Sequence, residues 1–101
     1  MTAERGAIVR RGDTGGYAVV ISNDMLHTVS STVILTTVVR SESMAEAWPN
    51  VIGVDAAGEH LFAIPVSVHT APASAIKDVV GRATNEQLRS IVRVLHAATS
   101  S

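Results

Sequence analysis

Gly15-Gly16-Tyr17-Ala18-Val19-Val20-Ile21-Ser22-Asn23-Asp24 is the stretch on which the fold turns. Its apolar middle is too short for a stable helix and carries β-branched and aromatic side chains, so Tyr17 to Ser22 reads as a strand. Upstream, Ala7 to Arg11 is a second short apolar run, ending in two arginines. Between them Gly12-Asp13-Thr14-Gly15-Gly16 has turn chemistry: glycine reaches positive φ at little cost, and Asp or Thr can bond the local backbone. The two runs therefore form a hairpin. Asn23-Asp24 ends the second strand, and Met25 to Ser31 is expected to be a loop.

Further along, Thr32 to Arg40 is rich in β-branched residues that do not alternate cleanly with polar ones. Such a strand has both faces buried, as in a small barrel or a central strand. Ser41 to Asn50, ending in Trp48-Pro49-Asn50, reads as a long connection. Val51 to Val54 and Leu61 to Val68 are two more strands, joined by Asp55-Ala56-Ala57-Gly58-Glu59-His60 as a hairpin turn. Pro72 opens a helical turn over Ala73 to Lys77, and Asp78 to Arg82 is a last short strand. Thr84-Asn85-Glu86-Gln87 matches the capping-box pattern. Leu88, Ile91, Val92 and Leu95 follow at helical spacing, giving an amphipathic helix from Asn85 to about Ala98 with Arg89 and Arg93 on its solvated side. The expectation is one mainly β domain over residues 1–101, with a C-terminal helix.

Composition agrees with a small globular domain. The 101 residues are 47% hydrophobic with only one Trp, one Tyr and one Phe, so Val, Ile, Leu and Ala must build the core. A formal net charge of −1 leaves no bulk electrostatic footprint for nucleic acid, so any such contact is local. The cations are nearly all Arg, whose planar fork suits phosphate. The absence of Cys excludes disulfides and thiolate metal sites. Charges at Glu4, Arg5, Arg10 and Arg11 interrupt any leader-like apolar run, and no stretch nears the ~20 apolar residues of a membrane helix, so a cytoplasmic protein is expected.

Four pieces in order resemble the MazF/PemK toxins of the CcdB/MazF-like superfamily. Arg5-Gly6-Ala7-Ile8-Val9 is similar to that family's opening strand, and Ser22-Asn23-Asp24 matches the end of its second. Ser31-Thr32-Val33-Ile34-Leu35 resembles its third, and Val80-Gly81-Arg82-Ala83-Thr84 with the helix behind it resembles its closing segment. The resemblance implies an SH3-like small β-barrel, a homodimer, a MazE-like antitoxin as partner and single-stranded RNA as substrate. It also implies metal-independent endoribonuclease chemistry by 2′-OH attack, which needs no cofactor. Ala63 to Val68 resembles a stretch of CcdB, the gyrase-directed branch, but the tail Ala97-Ala98-Thr99-Ser100-Ser101 lacks that branch's aromatic ending.

The same resemblance places Gly16 where the family carries its catalytic Arg, and Val38 or Val39 near its hydroxyl position. Substitutes lie close by. Arg10, Arg11 and Arg40 are the candidate catalytic cations, because a pentavalent phosphate needs cationic donors. Thr36, Thr37, Ser41, Ser43 and His69 are the candidate RNA contacts, offering hydroxyls and one group that titrates near neutrality. His27, His60, His69 and His96 share no metal-ligand spacing, so no metal site is expected. Three functions remain open: a MazF-like ribonuclease toxin, a non-catalytic member that binds gyrase or an antitoxin, and a structural barrel domain unrelated to toxins.

Overall fold

A computed structural model describes residues 4–100, so Ser101 of the tail lies outside it. Six strands close into one antiparallel barrel: β1 (Ala7–Arg11), β2 (Tyr17–Val20), β3 (Thr32–Val39), β4 (Ile52–Ala56), β5 (Glu59–Pro72) and β6 (Ile76–Arg82), in the order β1-β2-β3-β5-β4-β6. Three helices complete it: α1 (Asp24–Ser30), α2 (Glu42–Glu46) and α3 (Asn85–Thr99). Among the described residues no helix is long and apolar enough to cross a membrane.

The two faces of β1 and β2 bury different sets of side chains. Ile8 and Val19 belong to a first core with Val38, Val54, Leu61 and Ala63, onto which Leu88 and Ile91 of α3 pack. Val9, Ala18 and Val20 belong to a second core with Val33, Leu35 and Ala71. β3 contributes to both, which is why its apolar residues do not alternate. The fold class and the two-sided burial of the third strand are as the sequence implies.

Several local expectations are corrected. Met25 to Ser31 is mostly helix, not loop: the Asn23 side chain caps α1 by accepting from Leu26 N at 3.1 Å. The helix escapes the apolar pattern because its buried residue is His27, while Met25 and Val29 are 73% and 80% exposed. The connection after β3 contains α2, which Ser41 caps and which buries only Ala45. β5 runs beyond Leu61 to Val68 in both directions, because a bulge absorbs the proline. Thr36 pairs with Val68 but Thr37 pairs with Ile64, so Pro65 sits where no ladder bond is asked of it. The β4–β5 turn is only Ala57-Gly58, both at positive φ (54° and 74°), as a tight two-residue hairpin requires. The helical turn after Pro72 spans only Ala73–Ala75, and β6 starts earlier, at Ile76. β2 ends at Val20, although Ile21 N still donates to Ile34 O at 2.9 Å.

The Ser22-Asn23-Asp24 motif is structural. Ser22 Oγ accepts from Ile34 N at 2.9 Å and lies 2.7 Å from His27 Nε2, so one hydroxyl ties the end of β2 to β3 and α1. Replacing Ser22 by Ala strands a half-buried N–H and a buried imidazole nitrogen, and thermal or urea unfolding should show a loss of about 1–3 kcal/mol. Barrel closure depends on a second close contact, between Ala56 and Gly81, the paired residues that join β4 to β6. A Cβ on Gly81 would stand 2.7 Å from Ala56 Cβ and 3.0 Å from Ala56 Cα. Gly81→Ala is therefore expected to cost about 1–3 kcal/mol, read as a melting temperature lowered by several degrees.

Candidate functional site

An open cleft of about 620 Å³ lies where the β1–β2 loop meets the end of β3 and the start of α2. Strand register builds its floor: Arg10 of β1 pairs with Tyr17 of β2, and Tyr17 pairs with Val38 of β3. Neighbours on a rung share a face, so Arg10 and Tyr17 meet at the mouth of the first core. The Gly12 to Gly16 loop is held by its own side chains, with Thr14 N donating to Asp13 Oδ1 at 2.9 Å and Gly16 N to Thr14 Oγ1 at 3.2 Å. Gly15, at φ 74°, and Gly16 carry no side chain that could roof the cleft.

Two arginines converge on the tyrosine. Arg10 Nη2 donates to Tyr17 Oη at 2.9 Å, and its guanidinium carbon stands 5.4 Å from the ring centroid. Arg40, just past β3, places its own at 5.5 Å. Both distances are within cation–π range. Arg40 also donates from Nη2 to Glu59 Oε2 at 2.8 Å. That hydrogen bond first, then the charge of Glu59, hold the Arg40 guanidinium above its ordinary value. Ser41 and Met44 complete the wall.

The remaining candidates lie elsewhere: the pleat turns Arg11, Thr37 and His69 to the other face, Thr36 is buried beneath the cleft face, and Ser43 is on α2. Arg11 follows Arg10 and does not line the cleft; Asp13 takes its guanidinium in a two-pronged pair, Nε to Oδ1 at 2.9 Å and Nη2 to Oδ2 at 2.6 Å. The hydrogen bond from Arg11 is the main reason that the Asp13 carboxyl sits below the usual range. His69 pairs with Leu35, a second-core residue, and its Nε2 is buried without a partner among the described residues. Burial, and secondarily the charge of Arg11, push its pKa below the ordinary histidine value. Thr37 shares a hydroxyl contact of 2.7 Å with Ser67 across the β5 bulge. Thr36 is fully buried opposite Val19, its hydroxyl unpartnered among the described residues. Ser43 bonds Ser41 at 2.7 Å and does not line the cleft.

Sequence reasoning thus reaches Arg10, Arg40 and Ser41 but passes over Tyr17 and Glu59. The signal for Tyr17 was its place as the first residue after a glycine loop, opposite a strand-ending Arg. Glu59 had none, since the β4–β5 turn that carries it is distant in sequence from Arg40.

The fold with this cleft is that of the MazF toxins. The chain superposes on a chain of a MazE-MazF crystal structure from Deinococcus radiodurans with a TM-score of 0.82 at 16% identity, over 97% of this chain and 96% of that one. It is also similar to an endoribonuclease from a mycobacterial species (TM-score 0.79, 15% identity, 97% and 91% covered). A third likeness is to a mycobacterial endoribonuclease in complex with its cognate antitoxin (0.75, 15%, 96% and 92%). No protein-family model matches the chain, and no curated protein matches it in sequence.

Glu59 takes one of the Arg40 N–H donors with which an incoming anion would bond. Glu59→Gln should therefore raise the affinity of the cleft for inorganic phosphate by ~2- to 5-fold, a modest gain because the ion pair is exposed. Titration followed through the Arg40 side-chain N–H resonances checks this.

Proposed function

We propose that this chain is the toxin of a type II toxin-antitoxin pair, acting as a metal-independent endoribonuclease on single-stranded RNA. The observation that carries the reading is the convergence of Arg10 and Arg40 on one open cleft of a MazF-like barrel. Arg10 stands in for the family Arg whose position Gly16 holds. Two guanidinium groups can grip the non-bridging oxygens of a phosphodiester and strengthen that grip as charge builds on the pentavalent phosphorus. The 2′ oxygen attacks phosphorus in line, the 5′ oxygen leaves, and a 2′,3′-cyclic phosphate results. Ser41, at the N-terminal end of α2, offers a further contact to the strand. The partner is a MazE-like antitoxin that covers the cleft, in keeping with the antitoxin complexes among the similar structures, and the working unit is a homodimer.

A second reading, a superfamily member that acts by binding alone, draws support from one feature. No carboxylate or imidazole is among the residues lining the cleft. The two readings separate in one assay. Antitoxin-free protein at micromolar concentration in EDTA should cut single-stranded RNA to 5′-hydroxyl and 2′,3′-cyclic phosphate ends. Arg10→Ala and Arg40→Ala should each lower kcat/KM by about 10²–10³. RNA that is bound but left intact would favour the binding reading, and stalled supercoiling by gyrase would give that reading its target.

A further inference from the structure

Phosphodiester cleavage needs more than cations, because the departing 5′ oxygen must gain a proton as its bond to phosphorus breaks. Arg10 and Arg40 cannot supply it near neutral pH, since a guanidinium stays protonated. The Ser41 hydroxyl is engaged as the cap of α2 and with Ser43 at 2.7 Å. Tyr17 is the remaining group in the cleft with an O–H to give.

Its geometry suits the task. Arg10 Nη2 donates to Tyr17 Oη at 2.9 Å, and a guanidinium has no lone pair to accept in return. The hydroxyl hydrogen must therefore point elsewhere, and no described residue accepts it. Tyr17 is only 8% exposed, fixed by the Arg10–Tyr17–Val38 rung and the first core, so its oxygen is held in place on a rigid strand. Arg40 lies over the same ring, 5.5 Å from its centroid, which puts a second cation on the face of the ring that would share negative charge after giving the proton.

We propose that Tyr17 is a catalytic residue of this cleft, the general acid that protonates the leaving 5′ oxygen. This role rests on the ribonuclease reading given above. In the step, the O2′–P bond forms as the P–O5′ bond breaks, and the electron pair of the broken bond goes to O5′, which takes the Tyr17 proton. Water accepts the 2′ proton, and water returns one to the phenolate, so the enzyme ends the cycle unchanged.

Tyr17→Phe tests the role, because it keeps the ring, its packing and its face toward both arginines. Two RNA substrates are compared: the natural phosphodiester, and one with sulfur in place of the bridging 5′ oxygen at the scissile linkage. A thiolate leaves without protonation. On the oxygen substrate Tyr17→Phe is expected to lower kcat by about 10²–10⁴ with KM and melting temperature little changed. On the sulfur substrate its rate should return to near that of the parent protein. Full activity of Tyr17→Phe on the oxygen substrate, or an equal loss on both, overturns the role. If the parent protein cleaves neither substrate, the ribonuclease reading itself fails and takes this role with it.

Discussion

The close approach of Gly81 to Ala56 is the constraint on which the rest depends. β4 and β6 pair through these two residues, with Ala57 N donating to Val80 O at 3.0 Å beside them, and only a residue without a side chain lets the two backbones come so near. Without that meeting the strands form an open sheet with two bare edges. With it, the ladder closes and encloses the first core, and α3 covers that core with Leu88 and Ile91.

Closure also explains why the cleft lies where it does. In a small barrel the strands are offset, and each inner face ends in a rim where side chains no longer have a partner across the core. Arg10 and Tyr17 stand at such a rim, over Val38. The glycines of the β1–β2 loop leave the space above them open, and α2 supplies one wall. A buried aromatic ring faced by two guanidinium groups is thus a product of register, assembled from residues that turn and strand geometry brings side by side.

Much of the fold was legible in the chain. The β1–β2 hairpin followed from a glycine-rich turn between two apolar runs, and the two-sided burial of β3 from its failure to alternate. The α3 capping box closes as its pattern implies, with Thr84 N donating to Gln87 Oε1 at 2.9 Å and Gln87 N to Thr84 Oγ1 at 3.0 Å. α1 and α2 were not legible, because each is held by a polar cap and a single buried residue, not by an apolar stripe. The site was half legible. Arg10 and Arg40 stood out as strand-end cations, but pleat alternation sends Arg11, Thr37 and His69 to the other face of the sheet.

Local chemistry is written directly in sequence: which runs prefer strands, where glycine and asparagine break them, where a threonine starts a helix. These preferences act over a few residues, so the chain by itself determines the strands and the capped C-terminal helix, though not α1 and α2. Which residues meet is a different matter. The bulge at Pro65 resets the pairing of β5 on β3, the Ala57-Gly58 turn delivers Glu59 to Arg40, and strand register sets Tyr17 beside Arg10. The Pro65 bulge and the Arg40–Glu59 contact join strands far apart in the chain, a long-range geometry that no local window of sequence contains. The tertiary structure therefore decided the composition of the cleft.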